Sequence, residues 1–227
     1  MTLDLLLTGR AAPDLVTIGQ VTLAQETAAA FCRLQQAAAG RGFDLQLVSG
    51  YRNFQRQAAI WNAKLSGARP VFDLAEQQVS LDKLAGIDKL TAVLLYSALP
   101  GASRHHWGTD LDLYDRAAVA SDYQPQLLVS EYDTDGPFHP ASQWLAEHAH
   151  QYGFFLPYRR YQGGVAAEPW HLSYRPLAES YLASFRQEML ANAIEQSELL
   201  EKSLILEHLP TLFQRYVMNI CEVSNGD

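Results

Sequence analysis

Hydrophobic and polar positions alternate along this chain with two different periods. From Thr22 to Ala39 the apolar residues Ala28, Ala29, Phe31, Cys32 and Leu34 recur at helical spacing, and Gly40 ends the run. Phe43 to Val48 alternates as a strand does, and Ser49-Gly50 closes it. Asn53 then stands as an N-cap for a helix running to about Leu65, stopped by Ser66-Gly67. The stretch from Ala68 to Lys89 has mixed signals and reads as an insertion or long loop, before a short helix from about Leu90 to Ser97. Leu99-Pro100-Gly101 breaks the chain. Period-two alternation returns at Thr109 to Tyr114, placing Asp110 and Asp112 on one strand face.

The largely polar residues 116–138 look like a surface excursion. A helix is expected over Ala141 to Tyr152, ended by Gly153, and a short strand over Trp170 to Tyr174. From Pro176 the pattern is helical nearly to the end, with Pro210 expected to break it into two or three helices. No internal repeat is visible. These elements predict an α+β fold, a small antiparallel sheet flanked by helices. Residues 1–178 are expected to form the catalytic domain and 179–227 a helical C-terminal extension packed on or near it.

Composition narrows the function classes. Seventeen Lys and Arg against 25 Asp and Glu give a net charge of -8, which argues against a nucleic-acid partner. No run of about 18 apolar residues exists to span a membrane. The N-terminal MTLDLLLTGRAAP is too short in its apolar part for a secretion signal, so a cytoplasmic location is expected, with export by another route left open. Cys32 and Cys221 lack CxxC spacing and are expected to be buried free thiols.

Two segments concentrate groups that bind metal, Ser103 to Asp112 (SRHHWGTDLD) and Glu168 to His171 (EPWH). A catalytic zinc takes imidazole and carboxylate from three side chains and leaves a fourth position for water. Gly108 permits a tight reversal that can bring His105 and Asp112 to one ion, and His171 can arrive from a distance. Glu168 precedes His171 by three, with Pro169 between, so a turn entering a strand must aim both into one cleft. There Glu168 could act as general base on a water whose pKa the metal lowers to about 7. A third segment, Ser49-Gly50-Tyr51-Arg52 with Gln57 beyond it, places Arg52 between a strand and a helix. A cation there could stabilise an oxyanion or hold a carboxylate.

Together, SGYR with the following glutamine, S-x-H-x-x-G-x-x-x-D and E-x-W-H resemble the zinc D-alanyl-D-alanine carboxypeptidases and dipeptidases of the VanY and VanX type. The resemblance spans roughly residues 45–174. It implies Zn2+ on His105, Asp112 and His171, Glu168 as base and Arg52 as transition-state stabiliser. Ser103, Tyr51 and Gln57 would contact substrate, a peptidoglycan stem peptide or its D-Ala-D-Ala terminus. Where that family commonly carries alanine, this chain has Asp110. The family spacing favours Asp112 as the ligand, and Asp110 would either crowd the metal or extend the polar cleft.

Blander readings apply elsewhere. His139, His148, His150 and His208 read as ordinary surface or core histidines, and His106 should point away from the ion. Tyr158 to Tyr161 could form a rim of the cleft or a solvated loop. The C-terminal helices would pack, cover one side of the cleft, or form a homodimer interface. Two other functions fit the same residues, a non-catalytic zinc-stabilised module binding cell-wall peptides and a stem-peptide endopeptidase or dipeptidase.

Overall fold

The computed structural model describes residues 2–221; residue 1 and residues 222–227, the end of the expected C-terminal extension, lie outside the described residues. A short helix α1 (Leu3–Leu7) precedes a hairpin of β1 (Leu15–Ile18) and β2 (Val21–Ala24), and α2 (Gln25–Ala39) follows directly. The helical pattern read from Thr22 therefore starts three residues too early. A two-residue Gly19-Gln20 turn between β-branched runs is the hairpin signal in the sequence.

The central sheet has four antiparallel strands in the order β3-β4-β6-β5, namely β3 (Leu45–Ser49), β4 (Asp110–Asp115), β5 (Phe154–Phe155) and β6 (His171–Tyr174). One face buries Leu45, Leu111, Leu113 and Leu172 against Phe31 and Leu34 of α2 and Leu145 of α6 (His139–His148), which follows the one-turn α5 (Val129–Tyr132). Alternation then turns Asp110 and Asp112 to the opposite face. In the β4–β6 register Asp112 stands opposite His171 and Asp110 opposite Ser173, so all four side chains share that face.

The second core lies between α3 (Phe54–Leu65), α4 (Gly86–Leu94) and the C-terminal helices α7 (Arg175–Ser184), α8 (Gln187–Glu195) and α9 (Lys202–Phe213). Trp61, Trp107, Leu90, Phe185, Leu190 and Leu209 meet there, so the C-terminal helices share one apolar cluster with α3 and α4. Asn53 caps α3 as expected, its Oδ1 accepting the Arg56 N–H at 2.9 Å. Pro210, by contrast, lies inside α9 and does not break it. Burial of Ile205, Leu209, Leu212 and Phe213 outweighs the single missing N–H, and the breaks fall at 185–186 and 196–201 instead. Cys221 is a buried free thiol, whereas Cys32 is free but exposed: α2 turns Phe31 and Leu34 inward, which leaves Cys32 facing out.

Candidate metal centre and cleft

The metal-binding side chains converge because of the sheet register and two glycine-dependent approaches. Gly50 follows β3, and a Cβ there would lie 2.6 Å from the Thr22 carbonyl. Its own carbonyl accepts from His105 Nδ1 at 2.8 Å. Gly108 has φ +68, and a Cβ would meet the Ala24 backbone nitrogen at 2.8 Å. That close approach lets the Ala24 N–H donate to the Gly108 carbonyl and fixes the turn between His105 and β4.

His105, Asp112 and His171, all buried, each present a ligand atom, and these atoms lie within 4.8 Å of one another. Hydrogen bonds select the atoms. Since Gly50 occupies Nδ1 of His105, Nε2 faces the cluster, 3.4 Å from Asp112 Oδ2. His171 does the reverse, with Nε2 2.9 Å from Asp110 Oδ1 and Nδ1 3.1 Å from Asp112 Oδ1. That last approach lacks hydrogen-bond geometry, so Asp112 Oδ1 is a buried carboxylate oxygen with no hydrogen-bond partner. A buried carboxylate that turns one oxygen to each imidazole nitrogen and leaves one of the two unsatisfied fits a divalent cation.

Asp110 neither crowds this cluster nor extends the cleft; it lies behind His171, fully buried. It accepts from His171 Nε2, Arg104 Nε at 2.8 Å, Thr109 Oγ1 at 2.5 Å and Ser173 Oγ at 3.0 Å. Burial alone would raise its pKa, but Arg104 and His171 overcome this and hold it well below the usual carboxylate range. The carboxylate–histidine pair orients the His171 ring. Arg104 is itself buried, stacked 5.0 Å from the Trp107 ring centroid.

Glu168 completes the centre. Its Oε2 lies 3.3 Å from His171 Nδ1, and the His171 N–H donates to the Glu168 carbonyl, so Glu168 to His171 forms the turn into β6 that aims both side chains one way. Burial raises the Glu168 pKa, with His171 opposing. Burial lowers the His171 pKa, but contacts with Asp110, Asp112 and Glu168 outweigh it and set the imidazole well above its ordinary value. His105 is shifted down by burial and by Arg52.

A cavity of about 510 Å³ opens onto these groups. Arg52, Gln57 and Ser103, all singled out in the sequence, line it. The Arg52 Nε is buried without a hydrogen-bond partner, and Gln57 Nε2 donates to the Ala98 carbonyl at 2.8 Å. Tyr51 is half-buried and is not among the residues lining the cavity; its backbone N–H donates to the Thr22 carbonyl at 2.7 Å. His106 turns away from the cluster as expected. Gly101 N–H donates to its Nε2 at 3.0 Å, so Nδ1 carries the proton and donates to the Arg52 carbonyl at 2.6 Å. Burial pushes His106 down to about 3, keeping it neutral.

Several lining residues were not singled out by the sequence reading. The two stretches read as loops supply much of the cavity wall: Arg69, Pro70, Phe72 and Glu76 from one, Gln126 to Leu128 from the other. Glu76 ties them together, accepting from the Val129 N–H and, at 2.7 Å, from the Ser130 hydroxyl. Glu76 and Leu127 have φ of 57 and 55, left-handed values that non-glycine residues hold only when surroundings impose them. The excursion also packs Tyr132 and Phe138 on Trp170. Tyr158 lines the cavity with its ring edge-on to His171 at 5.1 Å. Lys64 had a sequence signal: Gln57, Ile60 and Lys64 follow helical spacing, and all three line the cavity.

Residues 20–177 match the family model of VanY, D-alanyl-D-alanine carboxypeptidase. The chain belongs to that family. It is a carboxypeptidase-like peptidase. A relative in Haemophilus influenzae, an uncharacterised protein, is 36% identical over 122 residues, 53% of this chain and 93% of the relative. Among solved structures, VanYB in complex with D-alanine-D-alanine aligns with a TM-score of 0.54 at 17% identity, covering 83% of this chain and 92% of that one. The LD-carboxypeptidase LdcB aligns at 0.53 and 22% identity, covering 87% and 79%. At these identities the two structures establish the shared fold.

Proposed function

We propose that this protein is a zinc-dependent peptidase that hydrolyses a peptide bond next to a D-amino acid in peptidoglycan-derived peptides, in the manner of a D-alanyl-D-alanine carboxypeptidase. The observation that carries this reading is the Asp112 carboxylate set between the two imidazoles, Oδ2 at 3.4 Å from His105 Nε2 and the partnerless Oδ1 at 3.1 Å from His171 Nδ1, with the Glu168 carboxylate beside them. A two-imidazole, one-carboxylate set suits zinc with an open position. Membership of the VanY family, and a fold neighbour whose structure holds D-alanine-D-alanine, support the substrate class.

When bound, zinc supplies Lewis-acid polarisation and water activation at neutral pH. Glu168, buried beside the metal-binding side chains, takes the proton of the attacking water and delivers it to the leaving amine. The buried, unpaired edge of Arg52 faces charge developing on the scissile carbonyl oxygen. Ser103 and Gln57 hold the peptide along the wall, and Asp110, bonded to Nε2 of His171, fixes the ring so that Nδ1 would be the atom to hold the ion with His105 and Asp112. The test is Glu168→Ala: it should retain stoichiometric zinc while release of D-Ala from a stem pentapeptide falls by about 10²–10⁴-fold. Full turnover in that variant would remove Glu168 from the mechanism. Zinc binding without turnover in the unaltered protein would favour a binding module.

A further inference from the structure

The last described turn of the chain backs one wall of the cleft. Helix α9 runs on into a π-helical turn (Gln214–Met218), a rare form that is frequent at functional sites. Tyr216 and Val217 of this turn are buried in the apolar cluster that α9 shares with α3 and α4. The polar groups that follow and flank them meet the loop from Pro157 to Val165. Arg215 Nε donates to the Gly163 carbonyl, Asn219 Nδ2 to the Gln162 carbonyl at 3.0 Å, and the Cys221 N–H to the Pro157 carbonyl at 2.8 Å. The Cys221 thiol reaches the Arg160 carbonyl at 3.7 Å. Gly164 is buried, and a Cβ there would collide with the Arg215 carbonyl, so the two backbones touch directly.

The opposite side of that loop is the cleft. Tyr158 and Val165 line the cavity, and the Tyr158 ring stands edge-on to His171. The Tyr158 carbonyl accepts the Glu168 N–H at 2.9 Å, which ties the loop to the proposed base. Gly163 and Gly164 give the loop little stiffness of its own, and Gly163 has φ +84. Water could satisfy carbonyls on such a loop in many positions, whereas donors rooted in the core select one. Arg215 is held for that task, its Cζ 5.1 Å from the ring centroid of the buried Tyr216.

Resting on the proposed peptidase reading, we infer that Arg215 and Asn219 are positioning residues. The segment from Arg215 to Cys221 is a strap that fixes the loop 157–165 and, through Tyr158, sets Glu168 against the metal-binding side chains.

Hydrogen exchange followed by mass spectrometry tests the strap without turnover. The metal-free full-length proteins would be the parent, Arg215→Met with Asn219→Ala, Arg215→Lys, and Gly164→Ala. The double substitution should speed exchange at residues 158–168 by about 5- to 30-fold, the effect of losing two partly exposed hydrogen bonds, and leave α2 and β3 unchanged. Gly164→Ala keeps every donor but forces the backbones apart, and should act in the same segment. Arg215→Lys retains a donor and should stay close to the parent. In zinc-loaded protein the double substitution should lower kcat for D-Ala release from a stem pentapeptide by about 10- to 100-fold, the cost of a misplaced group, with KM changed far less. Zinc affinity in dye competition should hold, because Asp110 still orients His171. Unchanged exchange at 158–168, equal acceleration along the whole chain, or local acceleration with full kcat overturns the strap. Turnover by the parent with unchanged exchange in the variants removes the strap and leaves the peptidase reading standing. A parent that releases no D-Ala sinks the peptidase reading, and the exchange pattern then decides the strap by itself.

Discussion

Asp110→Asn removes one charge and leaves every atom count nearly unchanged, which makes it a clean test of the support behind His171. In the native protein one buried carboxylate serves four donors, His171 Nε2, Arg104 Nε, Thr109 Oγ1 and Ser173 Oγ. An amide has a single accepting oxygen and turns an NH2 toward the remaining donors. Arg104, only 4% exposed, then loses its counter-charge. Removing one partner of a buried ion pair costs about 3–5 kcal/mol. For a chain of this size each kcal/mol lowers Tm by about 2–4 °C, so a fall of roughly 6–20 °C is expected. Loss of the carboxylate that orients a metal-binding histidine typically costs about 10–100-fold in metal affinity. Thermal unfolding of metal-free protein by circular dichroism reads the first quantity, and zinc competition against a chelating dye reads the second. A metal-free Tm within 2 °C of the parent (about 1 kcal/mol or less) would refute the buried-pair argument. Unchanged zinc affinity would refute the orienting role.

The pH response of Lys64 and the turn at Gly108 offer two further tests. The folded pKa of Lys64, about 8, lies below its ordinary 10.5, so the folded state loses this proton first as pH rises. The cost of the buried charge is therefore complete below pH 8 and is recovered between there and 10.5. Lys64→Met should accordingly melt above the parent at neutral pH, with the gap closing across that interval; a gap independent of pH contradicts this. Gly108→Ala puts a Cβ against the Ala24 backbone nitrogen in a left-handed conformation. It should cost about 2 kcal/mol or more, or roughly 4–8 °C, in denaturant and thermal melts; an unchanged midpoint would mean the hairpin moves freely from the turn.

Local chemistry made much of this protein legible from its sequence. Asn53 and Ser66-Gly67 bound α3 because capping and termination depend on a few adjacent residues. Alternation from Thr109 to Tyr114 gave β4 and put Asp110 and Asp112 on one face, since side-chain direction in a strand follows directly from position. The three motifs placed His105, Asp112, His171, Glu168 and Arg52 together, and the structure brings all five to one cleft. Tertiary structure decided the rest. Strand alternation alone leaves the two aspartates equivalent; the motif spacing favoured Asp112, and the β4–β6 register sets Asp112 beside His171 and Asp110 beside Ser173. Loops that looked like excursions become walls because Glu76 bridges them across a sequence separation no local pattern reports. Pro210 stays within a helix because packing of its neighbours outweighs one lost hydrogen bond. Propensity and spacing are properties of neighbouring residues; charge balance in a cleft belongs to groups that meet only when the chain has folded.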